Sequence, residues 1–479
     1  MKHIQNKLSV AAFIVTVLML LVTGCSKNTE IPITTSSDEA LSLFLEGRES
    51  FELIEFDAAA QLLDQAIEKD SDFALAHLYR YLTGIGENLP HMEKAFQLTD
   101  SVTEGEKYLL LTYKAFFGGD GAKQKEYLDK LLELFPSDKR VQFLTGQYYN
   151  NTKRDFTTAL KYYNQAIDID KKYAPAYNNI GYCNISLGNY DEAEKAFKTQ
   201  IELIPERPNP YDSYGDILMK VGKYDESIKQ FEKAYEIDNM FIEALAGVGD
   251  NYIFKGEYEK AREYYNMWYE NALGVSGKLG ALYYVAISYV YEGEIEKALN
   301  TFERYSALSN ENNRFANLIY SYQNEGFLLS GTGKAAEGLK RYQKALEVAH
   351  QADTPEPVKS NQIIYAMFAE CEAMLFNNNI VDALAKIEEL EKSTESRNLP
   401  NDEMWLNWLN GLVEYNNGNY KQAVQLFSNS WPDAVWVKYY IANAYKKMGS
   451  EEKADNIFKE FENWNEASLQ HAIVYYQMN

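Results

Sequence analysis

Tyr177, Ile180 and Gly181 are followed by Gly188, Tyr190, Ala193, Phe197 and Pro205. Thirty-four residues on, the chain reads Tyr211, Tyr214 and Gly215, then Gly222, Tyr224, Ser227 and Phe231. After thirty-four more it reads Leu245, Val248 and Gly249, then Gly256, Tyr258, Ala261 and Tyr265. A period of this length marks one supersecondary unit written repeatedly, each copy burying its apolar face on its neighbours. The spacing predicts two helices per copy. The first two large residues lie about one turn apart and share a buried stripe. The small residue after them lets the second helix approach. The glycine in the turn takes a positive φ that other residues resist, and Pro205 ends a second helix. No stretch alternates with period two for long enough to form a strand.

These three copies resemble the tetratricopeptide repeat. Weaker copies extend the pattern to the N-terminus, through Phe143 to Ala166 (one extra residue in the turn), Tyr108 to Pro136, a degenerate pair over His77 to Ser101, and Leu43 to Ala66. They extend it to the C-terminus through Leu282 to Phe302, Tyr322 to Ala345, Met367 to Ile387, Gly411 to Phe427 and Ile441 to Phe458. The fold expected is all-α, a right-handed solenoid of about twelve helix-turn-helix repeats, with an array over 38–270 and a more irregular one over 271–479. Four longer intervals, 271–280, 311–314, 351–360 and 393–402, carry Gly, Pro, Ser and Asn and read as elongated loops.

The N-terminus reads as an address. Lys2 and Lys7 precede an apolar run from Leu8 to Val22. As a helix it covers roughly 22 Å, short of a ~30 Å hydrocarbon core. A cationic start, a short apolar middle and small residues at the end describe a signal peptide over 1–24. Val22-Thr23-Gly24-Cys25 resembles a bacterial lipobox, which implies cleavage before Cys25 and acylation of its thiol, hence a membrane anchor. Ser26 after the Cys implies, by the same family's rule, the outer membrane. Residues 25–37 read as a flexible tether.

Composition limits the partners. The 479 residues carry 70 acidic and 47 basic side chains, a net charge of −23, which becomes −25 once Lys2 and Lys7 are removed with the leader. Nucleic acid would repel such a chain, and its 38 Tyr and 23 Phe rule out a disordered acidic tail. Cys183 and Cys371 fall in predicted helices five repeats apart and read as buried free thiols. His77, His91, His350 and His471 read as scattered over four separate repeats without metal-ligand spacing. Neither a nucleophile elbow nor a zinc helix is present. Ser330-Gly331-Thr332-Gly333-Lys334 fails as a phosphate loop, because Leu328 stands where a glycine is needed and Ala335 follows the Lys. The sequence therefore predicts neither an active site, a metal nor a cofactor.

In proteins with this repeat the concave face, lined by the first helix of each pair, holds peptides or protein partners. The family's groove positions fall here on Asn178, Tyr182, Asp212, Asp216, Asp250, Phe254, Tyr283, Tyr291, Trp405, Trp408, Trp436 and Tyr439. Some members of the family grip a C-terminal carboxylate with Lys, Asn and Arg; Asp stands where that clamp needs Lys, so it is absent. Two readings follow. One is a non-catalytic, lipid-anchored envelope scaffold binding protein or extended peptide, basic peptides included. The other is a glycan- or small-ligand-binding outer-membrane lipoprotein using the C-terminal aromatic patch Trp405, Trp408 and Trp436, although those three could equally pack in a core.

Overall fold

The computed structural model describes residues 29–86, 88–352, 358–395, 400–461 and 467–478. The leader, Cys25 and residues 25–28 of the tether lie outside the described residues. The chain is all-helical. Among the described residues, twenty-five α-helices form twelve antiparallel pairs in chain order, from Asp38–Glu52 with Phe56–Lys69 to Val435–Lys447 with Glu451–Phe461, and a last single helix, Leu469–Met478. The chain divides into two compact units, one ending at Ser213 and one beginning at Tyr214, so the division falls inside the helix Asn209–Lys220.

In the first unit the repeat grammar is visible in each contact. Gly181 is small because a Cβ there would come within 2.4 Å of the Phe197 ring on the paired helix. Gly188 turns the chain between them at a φ of 76°, where any side chain would be strained. Where the sequence has its extra turn residue, Tyr148–Thr152 forms a π-turn, which absorbs one residue without breaking the stack.

The segment expected to be a flexible tether is pinned over its described part. The Ile31 amide donates to Asp138 Oδ2 at 2.9 Å, the Thr34 amide to Glu106 Oε1 at 2.8 Å and the Ser36 amide to Asp70 Oδ2 at 2.7 Å. Asp138 and the Thr103–Glu106 capping box also start the first helices of their pairs. Residues 30–36 thus run, without helix or β-pairing, past the starts of two helices and the end of a third, with Ile31 and Ile33 packed into apolar clusters of that unit. The sequence hid this because such a segment has no helical period, and its bonding partners lie as many as 107 residues away.

The second unit uses longer helices. Val275–Tyr291, Ile295–Glu311, Phe315–Gly331 and Ala335–Gln351 each run 17 residues. Two expected loops shrink accordingly: Val275 to Gly280 is the start of a helix, and 312–314 is a tight turn with Asn313 at a φ of 55°. The Gly and Ser that suggested a loop are tolerated in a helix held by tertiary packing. Cys183 and Cys371 are buried free thiols, one in each unit, and burial pushes them up to about 11 and about 12.

Candidate functional site

In the first unit, the inner helices leave a cavity of about 350 Å³. Its apolar walls include Phe51, Leu75, Tyr79, Tyr113, Phe143 and Tyr173, and the pinned N-terminal segment supplies Ile31 and Ile33 to its rim. Charges inside are arranged rather than scattered. Arg140 Nε lies 2.6 Å from Glu52 Oε1 and its guanidinium lies 3.7 Å from Glu30. Burial opposes the Arg140 charge, but the Glu52 carboxylate outweighs it and holds the proton more tightly than usual. Burial also pushes Tyr79 up to about 12 and raises Tyr113 and Tyr173 well above the ordinary phenol value.

Three polar atoms of this lining are enclosed without a hydrogen-bond partner among the described residues: Arg48 Nε, Asn178 Oδ1 and Gln200 Oε1. Arg48 rests over the Phe44 ring at 5.4 Å. Gln200 as a whole is only 3% exposed. Leaving buried donors and acceptors unmade costs about 1–3 kcal/mol each, so folding alone gives no reason to keep them. These three atoms are themselves sealed from solvent, so a ligand in the cavity would meet the other polar atoms of the lining side chains instead.

Of the expected groove residues, Asn178 lines this cavity, and Tyr182 is on the surface, its hydroxyl 3.3 Å from Ser213 Oγ. Asp212 and Asp216 lie one turn apart on Asn209–Lys220, both half-buried. Asp250 departs from expectation. It is half-buried, accepts from the Tyr265 hydroxyl at 2.7 Å, and desolvation, reinforced by Asp216, pushes its carboxyl up to about 8. The raised carboxyl carries less charge at neutral pH than an ordinary aspartate. Phe254 stacks on Tyr224 at 5.9 Å.

The second unit's inner face is not empty. The last helix, Leu469–Met478, folds back from the end of the array onto the first helices of pairs eight, nine and twelve. Leu469, Ala472 and Ile473 join one buried cluster with Ala286, Ile287, Val290, Leu328 and Leu329. Gln477 Nε2 donates to Gly331 O at 2.7 Å, and Ile473 occupies the space beside Gly331 that a Cβ would need. Tyr283 and Tyr291, both expected to meet a partner, meet this helix: the backbone of Leu469 bonds the Tyr283 hydroxyl, and the Tyr291 and Tyr475 rings lie 5.4 Å apart. The repeat pattern stops at Phe458 and gave no hint of this. The available signal was composition, since residues 469–478 contain no Asp, Glu, Lys or Arg in a chain that is 24% charged.

The C-terminal aromatic patch differs from expectation in one member. Trp408 is fully buried, donates to Glu372 Oε1 at 2.7 Å and packs on Phe427, so it presents no ring face to a ligand. Burial pushes the Glu372 carboxyl up to about 7. Trp405 and Trp436 are half-buried and linked through Trp431, which the sequence reading missed, at 4.7 and 6.3 Å. Tyr439, also half-buried, packs on Tyr440 and Phe458. The histidines need a correction too: His77 and His91 belong to one pair, with Nδ1 atoms 3.0 Å apart. Among the described residues no third ligand joins them, and no group of three His, Cys, Asp or Glu is placed to hold a metal.

Residues 152–212 match one tetratricopeptide-repeat family model, and residues 209–239 and 242–266 match a second. No curated protein matches the chain. Among solved structures, yeast Tom70 aligns at 14% identity over 88% of this chain and 96% of its own, with a TM-score of 0.45. Pseudomonas aeruginosa pilF aligns at 19% identity over 44% of this chain and 92% of its own, with a TM-score of 0.35. A MamA structure aligns at 23% identity over 34% and 91%, with a TM-score of 0.30. Similarity at this level carries no functional argument. Among the described residues, no helix is long and apolar enough to cross a membrane.

Proposed function

We propose that this chain, a tetratricopeptide-repeat protein, is a non-catalytic scaffold of the bacterial envelope, anchored by lipid on Cys25, that holds an extended peptide or protein segment in its first groove. The observation that carries the reading is an aromatic-walled cavity whose lining also holds side chains that donate and accept, Arg48, Arg140, Asn178 and Gln200 among them. A peptide backbone supplies both bond types, and its side chains fill the walls. Asn178, with Tyr182 and Asp212 further along the same unit's edge, would form the contact surface, so a basic residue beyond the bound segment is favoured.

The test is affinity capture from detergent-solubilised native envelope, comparing the wild type with an Arg48→Gln/Asn178→Ala variant by mass spectrometry. A partner retained by the wild type and lost by the folded variant supports the reading; equal capture by both sinks it for this cavity. The anchor is tested separately, by feeding cells an alkyne-tagged fatty acid. Label on the wild type and none on Cys25→Ala is the expected result, and an unlabelled wild type removes the lipid anchor.

A further inference from the structure

We infer that the inner face of the second unit is a receptor groove for an uncharged amphipathic helix, and that residues 469–478 keep it closed until such a helix displaces them. The inference rests on the scaffold reading and adds a second, regulated site to it. The occupant on the page defines the partner's chemistry. Leu469, Ala472, Ile473 and Tyr476 recur at i, i+3, i+4 and i+7, one face of a helix, and the first three are buried against the groove. The groove is apolar where they insert, with Ile287, Val290 and Leu328 beneath them, so a charged inserting face would be desolvated without a partner.

The same features make the occupant exchangeable. A helix of ten residues is too short to persist alone in water, where roughly 12–15 are needed even for favourable sequences. Its order therefore comes from docking, and the docking rests on a few side chains: Leu469, Ala472, Ile473 and Val474 are its buried residues, Tyr475 and Gln477 touch the groove's edge at Tyr291 and Gly331, and Tyr476 and Met478 stay exposed. An element held this way opens locally at a lower free energy than the repeats that flank it. Once it lifts, the uncovered face is apolar and favours a replacement of the same kind.

The experiment uses the full chain and a fluorescent, end-blocked peptide copying residues 468–478. In a Leu469→Asp/Ile473→Asp variant the cis helix cannot seat, and the peptide is expected to bind at least tenfold more tightly than to the wild type, whose affinity is reduced by the fraction of open molecules. Hydrogen exchange at Ala472 to Val474 of the wild type measures that fraction independently, and the two ratios should agree. A peptide with Asp at the positions copying 469 and 473 should not bind. If the double variant loses helicity, Tyr475→Ala/Gln477→Ala, at the helix's exposed end, should give a smaller gain in the same direction. The inference is overturned if neither folded variant binds peptide better than the wild type, or if Ala472 to Val474 exchange only through global unfolding. Either result leaves the first groove's capture assay untouched, so the two readings fail separately.

Discussion

The two units write the same repeat and finish it differently. The first leaves its groove open, lined by aromatic rings interleaved with Arg48, Glu52, Arg140 and Asn178. The second fills its groove with the chain's own last helix. The difference follows from the linings. A groove with mixed polar and aromatic walls can hold water, whereas one lined by Ile287, Val290, Leu328 and Leu329 would expose a contiguous apolar patch of a kind soluble surfaces avoid. In a repeat array, then, the core positions fix the architecture, and the inner-face positions decide whether a groove waits open or must be covered.

That contrast can be broken first at Trp408. Trp408→Ala removes a fully buried ring and the donor to Glu372, so a loss of about 3–5 kcal/mol is expected, read by denaturant unfolding. Hydrogen exchange should show the loss in residues 358–461 and not in residues 38–86; equal loss in both would mean that the units unfold as one. Next comes Glu106→Gln in the first unit. The buried carboxylate accepts from the Thr34 and Thr103 amides and from both of their hydroxyls. Weakening these charge-assisted bonds should cost about 1.5–3 kcal/mol and speed exchange of the Thr34 amide, and of the Ile31 amide if the whole segment lifts. Unchanged protection there would show that Ile31 and Ile33 alone pin the segment.

A smaller effect separates the units by pH. The Asp250 carboxyl is raised in the fold, so the native state binds a proton that the unfolded chain releases near pH 4. Its contribution is full below that pH and is lost as pH rises towards about 8. Asp250→Asn should therefore stabilise the second unit at pH 8, on the order of a few kcal/mol at most because the residue is partly exposed, and change little at pH 4. A uniform shift at both pH values would count against the raised value. The smallest effect sharpens the comparison most. Arg48→Gln removes an unmade buried donor and also the contact with the Phe44 ring, two effects of about 1 kcal/mol and opposite sign, so stability should move by less than about 1 kcal/mol while partner capture falls. A large destabilisation would make Arg48 structural instead.

The repeat grammar was legible because it is local. Gly181 against Phe197, and Gly249 against Tyr265, are fixed by spacings of sixteen residues, and every regular copy repeats them. What was illegible depends on distant partners or on one pairing partner differing. Arg154 and Asn378 take the positive φ that glycine takes in the regular turns, so the pattern fades although the turn survives. Trp408 and Trp405 sit three residues apart on one helix, yet one faces the core and the other its edge. Only the position of Glu372, thirty-six residues earlier, distinguishes them. The closing helix and the pinned segment lie beyond the periodic part of the chain, where period carries no information.

The pinned segment has a consequence for height. Among the described residues Glu30 pairs with Arg140, and five peptide units separate it from Cys25. At no more than about 3.6 Å per residue, that leash spans roughly 18 Å. A lipid on Cys25 would therefore hold Glu30 within about two nanometres of the bilayer. Lengthening the leash with a Gly/Ser insert after Ser26 should widen the range of partners the groove can reach.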